Sequence, residues 1–224
     1  MKKTFALLCL LCTFIMNVTA QTWVGTWATA PQAAEKNAVL YSNSKTPHSI
    51  RQVVKVSVGG DLIRLKLSNI YSSEPVVIRS VYIAHAKDSF SINAKSAEYL
   101  KFGGKYKTVI PAGKAIESDP LKFDLKALER VAITINYTSA PAKPTIHPGS
   151  RTTSYIIKGV TNAHSNFEKA LHVNHWYTIA GIDVWSMKND LSAIAIIGNS
   201  ITDGRGTTDN AQNRWPDIMS EMLQ

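Results

Sequence analysis

The sequence predicts a mainly β domain of sandwich or jelly-roll type, followed by the first βα unit of an α/β domain. Two observations carry this. Between about Thr22 and Lys188, short runs of alternating apolar and polar residues recur, punctuated by Gly, Pro and Asn; strands with one face in a core and one in water read this way. From Asp190 the texture changes to a continuous apolar run, a polar Gly-containing loop and a helical pattern, the order of a strand, loop and helix in a parallel sheet.

The chain opens with Met1-Lys2-Lys3, an apolar run from Phe5 to Met16, and Val18-Thr19-Ala20. That is the layout of a secretory signal peptide over residues 1–20, cleaved between Ala20 and Gln21, and it predicts a secreted or periplasmic protein. The run is short for roughly 30 Å of hydrocarbon, so a membrane span is not expected. Cys9 and Cys12 both follow leucine, where a lipoprotein signal takes a small residue. They are also the chain's two cysteines, so the mature protein has neither disulfide nor thiol chemistry.

Removing Lys2 and Lys3 lowers the formal charge from +9 to +7. The remaining lysines are scattered, without the basic stripe and interleaved aromatics of a nucleic-acid surface. No nucleic-acid partner is expected. Weak attraction to acidic polymers stays open.

Residues 21–189 form the expected β domain. Arg51–Val58 and Leu62–Ser68 alternate around Gly59-Gly60-Asp61, a hairpin signal. Pro75–Ile83 reads as a strand or two. Tyr99–Phe102 and Lys107–Ile110 flank Gly103-Gly104 as a second hairpin candidate, and Leu121–Asp124, Arg130–Tyr137, Ser154–Ile157 and Trp176–Ala180 complete the series. Residues 138–152, with several prolines, read as a long surface loop.

Residues 190–224 are the expected start of a second domain. Leu191–Ile197 fits a strand buried on both faces, Gly198-Asn199-Ser200 ends it, and Pro216–Leu223 fits a helix with Ile218, Met219, Met222 and Leu223 on one side. One βα unit cannot cover its own apolar faces, so this domain is expected to be incomplete here. A serine just past such a strand stands at the carboxyl edge of a sheet, where open α/β folds place ligands. Its N–H, near the start of a turn or helix, can donate to a developing oxyanion.

Ile197–Asp217 resembles block I of the SGNH, or GDSL-type, ester hydrolases, whose pattern there is Gly-Asp-Ser-Ile-Thr-Asp-Gly followed by Arg-Trp-Pro. Trp23–Pro31, Leu67-Ser-Asn69 and His175–Val184 are similar to the leader domain of secreted bacterial members. The resemblance implies a flavodoxin-like second domain, an ester substrate that is a small molecule or a polysaccharide, and no cofactor or metal. It implies that Ser200 is the nucleophile, with its own N–H as the first oxyanion donor. Gly198, Asn199, Asp203 and Gly204 support it, with Asp203 in the hydrogen-bonded loop behind.

Asn199 stands where the family usually has aspartate; it keeps the acceptor oxygen and loses the charge, so a changed loop is expected with the chemistry retained. The family's remaining oxyanion groups and its Asp-x-x-His pair would lie beyond Gln224. All six histidines (His48, His85, His147, His164, His172, His175) precede Ser200, and a serine hydroxyl needs a base in reach. His172 and His175 lead into the interdomain segment, where packing is the ordinary role of a histidine. His147, between Ile146 and Pro148, is the candidate to line a site at the domain boundary. Trp23 and Trp27 fit a core better than a sugar platform.

Three readings follow: a serine ester hydrolase of which this chain is the front portion, a carbohydrate-binding β domain, and a fragment without catalysis. On the first, these 224 residues alone are expected to show no esterase activity.

Overall fold

Burial of one face of each alternating segment needs a second sheet to supply the other half of the core, and the chain provides one. The computed structural model describes residues 22–35, 46–186 and 191–224. The expected signal sequence and the 189/190 boundary lie outside these. The strands are β1 (Thr22–Ala28), β2 (Gln32–Ala33), β3 (His48–Lys55), β4 (Gly60–Ser68), β5 (Val76–His85), β6 (Glu98–Leu100), β7 (Thr108–Ile110) and β8 (Ala115–Glu117). There follow β9 (Leu121–Leu125), β10 (Arg130–Ser139), β11 (Thr145–Pro148), β12 (Ser154–Lys158), β13 (Leu171–Val173), β14 (His175–Tyr177) and β15 (Ile179–Ser186), then one helix, α1 (Trp215–Met222).

Among the described residues, one sheet runs β1-β15-β4-β8, with β9 also on β4. A second runs β13-β12-β3-β10-β5-β6, with β7 also on β5, and a small third runs β14-β11-β2. Their pairings are antiparallel. Val54, Ile133, Ile135 and Ile83 from the second sheet join Ile63, Leu65, Ile182 and Val184 from the first in one continuous core. The protein is mainly β, as its alternation predicts.

The pairing differs from the expected hairpins. Although β3 and β4 flank Gly59-Gly60, they belong to different sheets. Because β3 is buried on both faces, it takes β10 and β12 as neighbours, and the chain crosses to the other sheet before β4 begins. The crossing is tight: a Cβ on Gly59 would collide with the Leu125 carbonyl and lie 2.9 Å from Ala127 N. Likewise β6 and β7 do not pair with each other. Both lie along the same edge of β5, at Val81–Ile83 and Val76–Ile78 respectively. The Gly103-Gly104 turn between them has φ of 58° and 78° and its two N–H groups donate to the Asp119 carboxylate.

The expected surface loop at 138–152 contains β11, whose Thr145, Ile146 and His147 are buried. Prolines bound this strand rather than interrupt it, so it serves as the middle strand of the small sheet. Trp176–Ala180 is divided between β14 and β15 by Thr178, at φ 64°. That strain is held by a hydroxyl contact from Tyr137 at 3.0 Å and by backbone bonds to Thr145 and Ser68.

The outer face of the second sheet carries a buried polar layer. Arg51 is 1% exposed. Its Nε donates to Thr134 Oγ1, one Nη to the Phe90 carbonyl and the other to Tyr82 Oη. The Phe167 ring lies 3.9 Å from the guanidinium carbon. Burial holds the Arg51 pKa below the usual arginine value.

The largest departure is at Leu191–Ile197, which forms no strand. Ile194 is 64% exposed and Ile197 fully exposed, whereas Leu191 packs on the core. A continuous apolar run reports a tendency to be buried; a strand also needs an edge to pair with, and among the described residues none is offered to this run. No α/β unit is seen among the described residues. The helix occurs where expected, with Pro216 in its first turn and the Asp217 carboxylate accepting the Arg214 N–H at 2.9 Å. Its expected apolar side is largely in solvent at Ile218, Met222 and Leu223. No helix among the described residues is long and apolar enough to cross a membrane.

Candidate active site

Ser200 opens a stack of tight turns. Asn199 O accepts the Asp203 N–H at 3.0 Å, Ser200 O accepts Arg205 N–H at 2.7 Å, and Ile201 O accepts Gly204 N–H at 3.0 Å. The Asn199 side-chain oxygen accepts the Ile201 N–H at 3.3 Å. This is the local bond an Asx residue makes to begin a turn, and it requires no charge.

Both motif glycines are required by space. A Cβ on Gly198 would collide with the Thr202 side chain, whose own Cβ lies 2.5 Å away. Gly204 adopts φ 96°, and a Cβ there would stand 2.8 Å from Arg214 Cγ. The Ser200 side chain is exposed on an open cleft that Gly25, Trp27, Ala30, His147 and Asp203 also line. No hydrogen bond among the described residues uses its hydroxyl.

The loop that follows is fastened to the β region by side chains to which the sequence reading gave no role. Asn210, in a left-handed conformation at φ 66°, accepts the Thr153 N–H at 2.7 Å and donates to Thr153 Oγ1 at 2.9 Å; its N–H donates to the Arg151 carbonyl at 2.8 Å. Buried Gln212 donates to Thr152 Oγ1 at 3.0 Å. Arg214 donates to the Ser150 carbonyl, and its guanidinium carbon lies 5.2 Å from the Trp176 ring centre. Asn174 donates to Asp209 at 2.5 Å, and Lys55 pairs with Glu221. The signal in sequence was limited to a polar loop ending in Arg-Trp-Pro; its partners in 150–153 lie far upstream.

At the near end, His147 of β11 meets Asp203, Nε2 to Oδ1 at 2.8 Å, while its Nδ1 lies 2.9 Å from the Ala30 carbonyl. A carbonyl oxygen only accepts, so Nδ1 carries a proton. A carboxylate also only accepts, so the pair holds one proton more than a neutral ring and an ionised acid would. Burial works against a charged His147. The Asp203 hydrogen bond, the Ala30 carbonyl and the Asp203 charge outweigh burial and the opposing Arg214 charge, so its pKa is raised. When protonated, His147 can donate through both ring nitrogens, to Asp203 and to the Ala30 carbonyl, and in that state it has no lone pair for a serine proton.

Four of the other five histidines have contacts elsewhere. His175 Nδ1 accepts the Gly149 N–H at 3.2 Å, and burial lowers its pKa, with the His147 charge adding to this. His172 packs against the Tyr155 ring and His85 pairs with Glu129. Buried His48 stacks on Tyr137, and burial lowers its pKa. No hydrogen bond among the described residues joins a histidine to Ser200.

The three upstream segments of the resemblance come together. β1 pairs with β15, and β15 pairs with β4, Ile179 opposite Leu67. Asn69 at the end of this group is buried and donates to the Glu74, Ile110 and Pro111 carbonyls, a structural clamp. Arg64 lies over the Trp23 ring at 4.7 Å and Trp27 meets Trp176 edge-on at 5.0 Å.

No protein-family model matches the chain, and no curated protein matches it.

Among the described residues, the arrangement offers an exposed hydroxyl without a hydrogen-bond partner on a hydrogen-bonded turn, near the contact between buried His147 and exposed Asp203. It lacks a base at that hydroxyl among the described residues.

Proposed function

We propose that this chain is a secreted serine ester hydrolase of the SGNH type, with Ser200 as nucleophile. One observation supports this above the rest: the Ser200 hydroxyl lines the cleft with no hydrogen-bond partner among the described residues, on a turn whose two glycine positions leave no room for a side chain. A serine used as a plain cap would have its oxygen engaged with backbone N–H groups.

In the proposed reaction, Ser200 Oγ attacks the carbonyl carbon of an acyl or acetyl ester, carbohydrate esters included. Its proton passes to an imidazole acting as general base; among the described residues no histidine is hydrogen-bonded to Ser200. The oxyanion is met by the Ser200 N–H. Collapse expels the alcohol, which takes the proton from the imidazole, and leaves an acyl-serine. Water then attacks the acyl carbon, giving its proton to the base, and releases the acid and free serine. Export would place this chemistry outside the cytoplasm.

The exposed apolar run at Ile194 and Ile197 favours this reading over a free-standing carbohydrate-binding domain, because such a surface is ordinarily covered. The test is hydrolysis of p-nitrophenyl acetate by the protein as its own cells secrete it. Turnover abolished by Ser200→Ala is the expected result. Turnover indifferent to Ser200→Ala contradicts the proposal.

A further inference from the structure

We infer that the outer face of the second sheet, where β6 and β7 border β5, is a docking surface for an acidic polysaccharide, separate from the Ser200 cleft. Tyr99 and Tyr106 supply ring faces, and Arg79, Lys101, Lys105 and Lys107 supply charge. All six are exposed, and none lines the cleft that Ser200 shares. Lysines that look scattered in the sequence are gathered by strand pairing, because β6 and β7 lie along the same edge of β5.

Alternation along each strand sets the side that a residue takes. Tyr99 lies opposite Tyr82, and its ring meets Tyr82 at 5.3 Å and Tyr106 at 6.0 Å. Tyr82 is fully buried, held by Arg51 and by the Asn162 carbonyl, so Tyr99 rests on a fixed base. Lys101 carries its Nζ to 5.3 Å from the Tyr106 ring centre. Arg79 follows Ile78, the partner of Thr108, which puts it on the outer side next to Lys107. The tip between β6 and β7 is also anchored. Phe102 is buried and exchanges backbone hydrogen bonds with Lys105, and the Asp119 carboxylate holds the Gly103 and Gly104 N–H groups.

Cations elsewhere in the fold have acidic partners: Arg64 and Lys66 share Asp183 and Glu117, Lys55 meets Glu221, and Arg214 meets Asp217. Among the described residues, none of the four patch cations forms an ion pair. Glu98, one residue before Tyr99, alternates to the other side of β6. Charge complementarity therefore calls for a polyanion, and the two rings narrow its class. A phenol offers an apolar face to the C–H groups of a sugar and a hydroxyl to its oxygens. A membrane surface would ask for large aliphatic groups beside the charges, and within residues 99–109 Val109 is the one exposed aliphatic side chain. A nucleic acid would ask for a basic groove that tracks its phosphates; here the cations ring two tyrosines on an open face.

Binding of the full chain to immobilised polymers tests this. Carboxymethylcellulose carries sugar and charge, methylcellulose the sugar without charge, and inorganic polyphosphate the charge without sugar; none holds a carboxylic ester to be cut. Carboxymethylcellulose is expected to bind about tenfold or more tightly than either control and to weaken as salt rises. Lys101→Ala combined with Lys107→Ala is expected to weaken it by roughly threefold to tenfold, and Tyr106→Ala by a similar roughly threefold to tenfold. Lys122→Ala combined with Lys158→Ala removes equal charge outside the patch and should change affinity by less than about twofold. Should Tyr106→Ala fail to fold, the two lysine pairs decide, since all four side chains are in solvent. Polyphosphate, single-stranded DNA or anionic phosphatidylglycerol vesicles bound as tightly as carboxymethylcellulose, or equal losses in the two lysine pairs, overturns the inference. Ser200→Ala is expected to leave this binding unchanged, so absence of esterase activity would remove the hydrolase reading and leave the docking surface standing. Ser200-dependent activity without carboxymethylcellulose binding would do the reverse.

Discussion

His147 and Asp203 stand 56 residues apart in the chain and 2.8 Å apart in space, Nε2 to Oδ1. One buried imidazole thereby joins a β strand to the turn that carries the candidate nucleophile, and three histidines give the molecule opposite responses to acid and base.

Stability against pH follows from those three. The raised pKa of His147 contributes stability that is complete below the ordinary histidine value and is lost as pH climbs through the elevated one. Burial depresses His48 and His175; a base whose folded pKa is lowered resists protonation, so their contribution is lost as pH falls below the ordinary value. Melting temperature is expected to peak near neutrality. His147→Gln should remove the alkaline decline, of about 2–4 °C for each kcal/mol, and keep the acid one. An unchanged alkaline limb in that variant would show that His147 is not its source.

Gly204→Ala is expected to destabilise the loop by about 1–3 kcal/mol, because φ 96° and Arg214 Cγ at 2.8 Å act together. Gly103→Ala gives the comparison: φ is 58° but nothing lies within 4 Å, so about 1 kcal/mol is expected. Urea unfolding of the two variants should rank them in that order. Equal effects would mean that the contact with Arg214 is not made.

Arg51→Lys should lower stability by about 2–4 kcal/mol despite keeping the charge. An ammonium cannot reach Thr134, Phe90 O and Tyr82 in three directions at once, and it leaves buried acceptors unpaired. Denaturant unfolding measures it. A loss below about 0.5 kcal/mol, the scale of surface changes, would contradict the described network.

Strands were legible wherever alternation was clean. Arg130–Tyr137 shows why: Val131, Ile133, Ile135 and Tyr137 enter the core, and the period of two records that directly. Partners were not legible. Alternation says which way side chains point and is silent on which strand lies alongside, so neighbours in sequence such as β3 and β4 were read as a hairpin although each belongs to a different sheet. At Leu191–Ile197 the run encodes burial but cannot encode whether a neighbouring edge is present. Within the site, the turn from Gly198 to Gly204 was visible because its glycines are local requirements. His147, Asn210, Gln212 and Arg214 act through contacts across the fold, and nothing near them in sequence names those partners.

The claim at the centre is that the Ser200 oxygen is the atom that takes the acyl group. Treating the secreted protein with a fluorophosphonate, which reacts with activated serines, and mapping the adduct by peptide mass spectrometry tests it most directly. The account predicts one adduct, on the peptide containing Ser200, lost in Ser200→Ala. An adduct on another residue, or labelling that survives that substitution, would contradict it.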